Sequence, residues 1–214
     1  MTNPDVERTI TERLLPDVIH KIKNSLGGIG GFAALLERDL EPESGSRRLV
    51  VRIEEGVEKI NTLAVDLMIL VRDLDFNPEV VRLSDFIHML QDTTEPGESM
   101  YALRRATSIP ESAMINIDSN LFGKLIHYVM RYLSFIGKIE EIRFHEIGGT
   151  VNMTFICDNG CVDDAVESTR DFLHNSDPIE ARLCLANALK LSDLHRGKCE
   201  ISVNKGRRNL TIGL

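Results

Sequence analysis

The sequence predicts an α-helical hairpin, which forms a four-helix bundle on dimerisation, followed by an α+β sandwich. Residues 9–38 and 47–72 repeat apolar side chains in alternating steps of three and four, which is typical of helices packed in a bundle. After Phe76 this pattern ends, and short apolar runs alternate with amphipathic stretches. We therefore predict two domains, 1–76 and 77–214.

The first helix begins at Thr9, Thr11 or Pro16 and ends near Leu40, and the second runs from Arg47 to Arg72. A lone hairpin leaves part of its apolar seam uncovered, so we expect a homodimer in which a second hairpin covers the seam. The alternative is that the rest of the same chain packs on it. In heptad notation the seam positions a and d are Leu15, Ile19, Ile22, Leu26, Ile29, Ala33 and Leu36 in the first helix, and Val50, Ile53, Val57, Ile60, Ala64, Leu67 and Val71 in the second.

His20 lies at heptad position b, beside the seam, on an outer stripe that continues through Asn24, Gly27 and Gly31. Four glycines fall within residues 27–31, and each costs about 1 kcal/mol of helix stability relative to alanine. A helix built for stability alone would not contain them. We interpret the stripe as an exposed histidine above a smooth patch that another protein can approach closely. The competing interpretation is an ordinary surface histidine.

The second domain shows strand and helix patterns in turn, with a polar, weakly patterned segment at 158–178. Their segregation predicts one mixed sheet with helices on one face. The predicted elements are strand 80–83, helix 84–91, strands 105–109 and 114–117, helix 118–135, a hairpin of strands 139–146 and 150–157, helix 179–194, and strands 198–203 and 209–214.

Composition excludes several functional classes. The net charge of -8 and the absence of a basic stripe argue against a nucleic-acid surface. No apolar run approaches the ~20 residues that span a bilayer, and no signal-peptide pattern is present, so we expect no membrane contact and a cytoplasmic location.

Cysteine and histidine spacing gives no sign of a metal site. The four cysteines lack CxxC pairs, so we expect buried free thiols at Cys157, Cys161, Cys184 and Cys199. The remaining histidines lack HxxxH or HExxH spacing, which favours structural or surface roles for His88, His127, His145, His174 and His195.

The segment from His20 to Ile29, HKIKNSLGGI, resembles the H-box of two-component sensor histidine kinases, whose pattern is HEIKNPLGGI or close to it. Phe32-Ala33-Ala34-Leu35-Leu36 continues the likeness. The resemblance implies that the hairpin corresponds to the dimerisation and histidine-phosphotransfer domain, with His20 as phosphoacceptor. Residues 80–214 resemble the ATP-binding domain in element order.

Several positions depart from the family pattern. Lys21 stands where these kinases place an acid directly after the histidine. Tyr128 and Tyr132 align with the magnesium-binding asparagines, and tyrosine is not a customary magnesium ligand. We therefore expect these two tyrosines to fill the former nucleotide pocket as core.

The nucleotide motifs survive only in part. The adenine-contacting motif DxGxG retains Asp158 and Gly160 but has lost its second glycine. The phosphate loop GxGLA would coincide with residues 182–186, which contain no glycine, so the backbone cannot approach phosphates closely. Because residues 194–197, LHRG, match the family's LHGG, the alignment holds on both sides of this loss. The resemblance thus implies a degenerate ATPase domain that uses no ATP, with no cofactor and no metal of its own.

A histidine helix beside a degenerate nucleotide site is similar to the dimeric histidine phosphotransferases of phosphorelays. This resemblance implies that His20 accepts phosphoryl from a receiver aspartate and passes it to another receiver, with Mg²⁺ held by the receiver. Lys21 and Lys23 would neutralise charge, Asn24 would support the site or orient a water in a phosphatase reaction, and the receiver would dock on Gly27 and Gly31. The alternatives are a pseudokinase scaffold that binds a kinase or response regulator without phosphotransfer, and a divergent sensor kinase/phosphatase.

Overall fold

The computed structural model describes residues 15–93, 102–104, 106, 109–147, 149–158, 177–204 and 207–213. The chain divides into two compact units, Met1–Leu74 and Asp75–Leu214. The helices are α1 (Leu15–Asp39), α2 (Gly45–Val71), α3 (Leu83–Thr93), α4 (Ser119–Ile136) and α5 (Ile179–Leu194), and residues 102–104 are also helical. The strands are β1 (Glu79–Arg82), β2 (Met114–Ile117), β3 (Lys138–Ile147), β4 (Thr150–Asp158), β5 (Lys198–Asn204) and β6 (Arg207–Gly213).

The first unit is a hairpin of two long helices, which confirms the predicted hairpin. At the turn, the Ser44 hydroxyl accepts a hydrogen bond from the Arg47 amide at 3.2 Å and caps α2. The Arg47 guanidinium also donates from Nε and Nη2 to Glu37 Oε1, at 3.1 and 2.9 Å. These contacts tie the start of α2 to the last turns of α1.

Only part of the predicted seam is buried within one chain. The a positions of α1 are buried, whereas its d positions beyond Leu15 remain about half exposed. The first half of α2 shows a similar division, so one face of each helix packs inside the hairpin and a second apolar face lies on its surface. Leu67, a d position near the end of α2, instead packs against the hairpin core. The buried residues are Ile19, Leu26, Ala33, Val50 and Ala64, and the exposed ones are Ile22, Ile29, Leu36, Ile53 and Ile60.

The second unit contains two antiparallel sheets, so the prediction of one mixed sheet was wrong. β1 pairs with β2, and the other four strands lie in the order β3-β4-β6-β5. The connections explain the difference, because β3 and β4 are joined through a tight turn at Gly149, with a φ of 83°, and β5 and β6 are separated by two residues. Strands joined so closely can only run antiparallel.

The predicted strand 105–109 is not present in the described part of that segment. Residues 102–104 are helical, and the Ala106 amide donates to the Leu103 carbonyl at 3.1 Å in a turn-like contact. Ile109 also lies outside any strand. Arg105, Thr107 and Ser108 lie outside the described residues, as does most of the polar segment 158–178.

The core of this unit lies between one face of the four-stranded sheet and the helices α4 and α5, which pack on each other. Alternate residues of β4, including Val151, Met153 and Phe155, are buried against them. On the opposite face the hydroxyls of Thr154 and Thr211 form a cross-strand hydrogen bond of 3.0 Å. The predicted α+β architecture with helices on one face is thus confirmed.

Asp118 caps α4 and also holds the chain that enters the second unit. Its Oδ1 accepts from the Leu121 amide and its Oδ2 from the Asn77 amide, both at 3.0 Å. Burial alone would raise the pKa of this carboxyl, but the amide donors outweigh that effect and lower it. Asp118 therefore stays ionised, as a helix cap requires, and its contribution to stability is lost only as the pH falls through that lowered pKa.

Candidate functional site

The His20 stripe, formed by His20, Asn24, Gly27 and Gly31, lies on the surface of the middle part of α1. All four residues are exposed, and the stripe extends about 16 Å at 1.5 Å per residue. It lies beside the buried a positions rather than among them. The structure therefore places these sequence-predicted residues on one accessible face of a regular helix.

The glycines leave this face open. A Cβ atom added at Gly27 or Gly31 would meet nothing within 4 Å, and the same is true of Gly28. Gly30 differs, because its Cβ would lie 3.5 Å from Cγ1 of Val57 on α2. Packing inside the hairpin thus offers no reason for glycine at 27 or 31.

Two lysines give the neighbourhood of His20 a positive charge. Lys21 is exposed and Lys23 is half-buried, and within the described residues neither ammonium group forms an ion pair. The Lys21 carbonyl accepts a hydrogen bond from the Ser25 hydroxyl at 3.1 Å, which keeps that serine on the helix. The free ammonium groups can interact with an anion brought to His20.

In the second unit, Tyr128 and Tyr132 are buried, so the prediction that they lie in the core is confirmed. The hydroxyl of Tyr132 accepts a hydrogen bond of 2.7 Å from Nη1 of Arg208, which also lies 3.2 Å from Asp177 Oδ2. Burial raises the pKa of Tyr132 far above its usual value, although Arg208 opposes the shift. Tyr132, Arg208 and Asp177 form a buried polar network, which we call the Arg208 network.

The residues that align with a phosphate loop are helical. Residues 182–186 lie inside α5, and the Arg182 amide already donates to the Pro178 carbonyl at 3.1 Å. Cys184 and Leu185 are fully buried. Because amides from Arg182 onward are engaged within the helix, they are not available to a phosphate. Asp158 is exposed at the end of β4, and Gly160 lies outside the described residues.

Among the described residues, the remaining cysteines and histidines offer no second reactive centre. Cys157, Cys184 and Cys199 are buried free thiols, as predicted, and burial raises the pKa of Cys157 to about 11, while Cys161 and His174 lie outside the described residues. A thiol with that pKa is a poor nucleophile near neutral pH. The described residues contain no group of three potential metal ligands and no helix long and apolar enough to cross a bilayer. His88, His127 and His145 are exposed.

His195 is buried and structural. Its Nδ1 lies 2.7 Å from the Leu191 carbonyl, and its ring makes an edge contact with Phe76 at 5.0 Å between centroids. It thereby packs the first residues of the second unit against α5. The following residue, Arg196, has a φ of 54°, in the left-handed region that glycine adopts more easily.

Solved structures share this architecture. ShkA in complex with AMPPNP superposes on 94% of this chain with a TM-score of 0.69 and 18% sequence identity. Histidine kinase ThkA in complex with response regulator protein TrrA superposes on 96% with a TM-score of 0.61 and 12% identity. Acinetobacter baumannii histidine kinase AdeS superposes on 91% with a TM-score of 0.54 and 11% identity.

The chain has a histidine kinase-like fold. It spans 45% of the ShkA chain, 62% of the ThkA chain and 95% of the AdeS chain. No protein-family model matches the sequence. No curated protein matches it either. At 11–18% sequence identity, the similarity to these solved structures establishes the fold of the chain.

Within this histidine kinase-like fold, the Arg208 network is the feature that sequence reasoning missed. A signal was present, because Arg208 alternates with Leu210 and Ile212, both buried on β6. That period of two places the arginine on the inward face of the strand. Its partner Asp177 is 31 residues away in sequence and could not be paired with it by local pattern.

Proposed function

We propose that this chain is a histidine phosphotransferase of a two-component phosphorelay. The observation that supports it best is the His20 stripe, an exposed histidine above open glycine positions on the helical hairpin of a histidine kinase-like fold. His20 accepts phosphoryl from the aspartyl phosphate of one receiver domain and donates it to a second receiver. A neutral imidazole nitrogen attacks phosphorus, the P–O bond to the aspartate breaks, and a P–N bond forms.

The phosphoryl group comes from another protein rather than from ATP. In support, the segment aligned with the phosphate loop is helical, with its backbone amides engaged and two of its side chains buried. Tyr128 and Tyr132 occupy the core where magnesium ligands are expected. The second domain is then a degenerate ATPase domain, and the Mg²⁺ of the reaction is held by the receiver's carboxylates.

Nearby side chains assist the transfer. Phosphoryl transfer depends mainly on in-line positioning and on stabilisation of charge. Lys21 and Lys23, which make no ion pair within the described part of the chain, neutralise charge on the moving group. Asn24, one turn beyond His20, supports the bound receiver or orients a water molecule. The complex of the structurally similar ThkA with a response regulator protein supports the choice of partner.

The functional unit is a homodimer. The exposed d positions of α1 and α2 form a continuous apolar face that one chain does not cover. A second copy that packs its own d positions there buries both faces in a four-helix bundle. The b and f positions, which include His20 and the glycines, remain on the outside of such a bundle.

The decisive experiment is phosphotransfer from receivers of the same cell carrying ³²P on their aspartate. We expect label on the wild-type chain, which then passes to a second receiver, and no label on His20→Ala. His88→Ala removes another exposed histidine and should behave as wild type. With [γ-³²P]ATP and Mg²⁺ but no receiver, the chain should stay unlabelled.

The other outcomes identify the alternatives. Receiver binding without label on the wild type would indicate a scaffold that does not transfer phosphate. Label from ATP that depends on His20 would indicate a working kinase. Equal labelling of wild type and His20→Ala by receivers would place the phosphoryl group on another residue.

Gly27→Ala together with Gly31→Ala should separate docking from folding. We expect α1 to become more stable, by up to about 1 kcal/mol for each alanine, because neither Cβ meets a neighbour. The rate of transfer from receivers should nevertheless fall, since two methyl groups now stand on the docking face. Thermal unfolding and transfer kinetics measure the two effects.

Gly30→Ala is the matched control, because its Cβ points toward Val57 and not onto the His20 stripe. It should leave the transfer rate unchanged. If the Gly27 and Gly31 double variant transfers phosphoryl as fast as wild type, the receiver docks elsewhere.

A further inference from the structure

A groove lies on α2 at the turn end of the hairpin, away from the His20 stripe. It is largely open to solvent, with a volume of about 410 Å³, and we call it the arginine groove. Arg47 in this groove bonds Glu37, which lies about 25 Å beyond His20 along α1 at 1.5 Å per residue. Its lining residues are Pro42, Arg47, Arg48, Val51, Arg52 and Glu55.

Arg48 and Arg52 of this groove are not explained by folding. Arg47 and Arg48 lie in the first turn of α2, which contains no acidic residue, and the helix dipole disfavours positive charge there. Arg48 and Arg52 are four residues apart, a spacing at which like charges repel. Only Arg47 has a described ion pair, to Glu37, whereas Arg48 and Arg52 form none within the described residues. Each feature opposes helix stability by a few tenths of a kcal/mol.

We infer that the arginine groove binds an acidic segment of a partner protein, with an apolar side chain flanked by carboxylates. Arg47 is already paired with Glu37, so Arg48 and Arg52 against Glu55 leave the groove with a net positive charge, on a chain whose net charge is -8. Val51, which is 37% exposed, and Pro42 offer an apolar surface between the charges. Carboxylates pair with guanidinium groups in bidentate geometry, and the apolar residue lies against Val51.

The same groove is unsuited to a nucleic acid. Glu55 within it and the overall negative charge repel a continuous row of phosphates, whereas a short segment can place its carboxylates beside the arginines alone. In heptad notation Arg48, Val51, Arg52 and Glu55 occupy positions f, b, c and f. These positions point away from the exposed d face, so a second copy on that face leaves the groove open.

The test uses the full chain and a fluorescein-labelled peptide, Asp-Glu-Leu-Asp-Glu, with fluorescence anisotropy as the readout. We expect saturable binding that weakens severalfold when ionic strength rises from about 0.05 to 0.5 M. The double variant Arg48→Glu with Arg52→Glu should lower affinity about tenfold or more, a change of about 1.4 kcal/mol. His20→Ala should bind as wild type, which makes the result independent of the proposed phosphotransfer.

Lys59→Glu is the matched control, because Lys59 is an exposed cation on α2 at the same heptad position as Arg52 and outside the groove. It should change affinity by less than about twofold, the effect of a single exposed charge. Three results would overturn the inference: equal binding by wild type and the double variant, equal binding of the amide peptide Asn-Gln-Leu-Asn-Gln, or tighter arginine-dependent binding of a single-stranded oligonucleotide than of the acidic peptide.

Discussion

Ile29→Glu is expected to convert the proposed dimer of this chain into a monomer. Ile29 is a d position of α1 and is 49% exposed in the single chain. In the proposed four-helix bundle Ile29 becomes buried against the second copy. Because the dimer is two-fold symmetric, one substitution places a glutamate in the interface from each of the two subunits. Loss of apolar burial and the cost of burying two carboxylates should lower dimer affinity by at least about a hundredfold.

Leu35→Glu provides a control of equal size on the same helix. Leu35 is 52% exposed, so the two variants place the same charge at surfaces of similar exposure. Leu35 occupies heptad position c, outside the d face, and its variant should remain dimeric. Sedimentation velocity over a concentration series measures both. A monomeric wild type, or equal dissociation of the two variants, would show that the d face is not the dimer interface.

Arg208→Met should be the most destabilising single change in the second unit outside its apolar core. The substitution leaves Asp177 and the Tyr132 hydroxyl without their guanidinium partner, and these side chains are buried or nearly so. Breaking a buried pair in this way costs about 3–5 kcal/mol. For a chain of this length we expect the melting temperature to fall by roughly 6–20 °C.

The adjacent residue gives the control for that prediction. Arg207 pairs with Glu140 at 3.2 Å, but both side chains are well exposed, so Arg207→Met should cost at most about 1 kcal/mol. Thermal unfolding followed by circular dichroism compares the two variants directly. Melting temperatures that differ by less than 2 °C would mean that the Arg208 network contributes no more than a surface ion pair.

Local periodicity was sufficient to predict the hairpin, and the reason is physical. A repeat of alternating threes and fours can be satisfied only by a helix with one apolar side, so α1 and α2 follow from sequence alone. Which of the two seam positions faces the neighbouring helix does not follow, because a and d are equivalent in a single helix. The structure resolves this by burying Ile19 and Leu26 and leaving Ile22 and Ile29 at the surface.

The second unit was less predictable where distant residues decide the outcome. The strands of the two hairpins were predicted from their alternating apolar residues, but the antiparallel order of the sheet depends on which strands pair across the chain. A strand was predicted around Ala106, whereas the amide of Ala106 bonds the Leu103 carbonyl in a turn-like contact after the helical residues 102–104. Asp177 and Arg208 meet only in the folded chain.

The sorting of side chains around α1 means that its functions can be separated by mutation. Ile19 and Leu26 face α2, Ile22 and Ile29 form an uncovered apolar face, and the His20 stripe lies on a third side. A substitution on one side leaves the other two chemically unchanged. Substitutions in this one helix can therefore impair folding, self-association or partner choice separately, according to the side on which they lie.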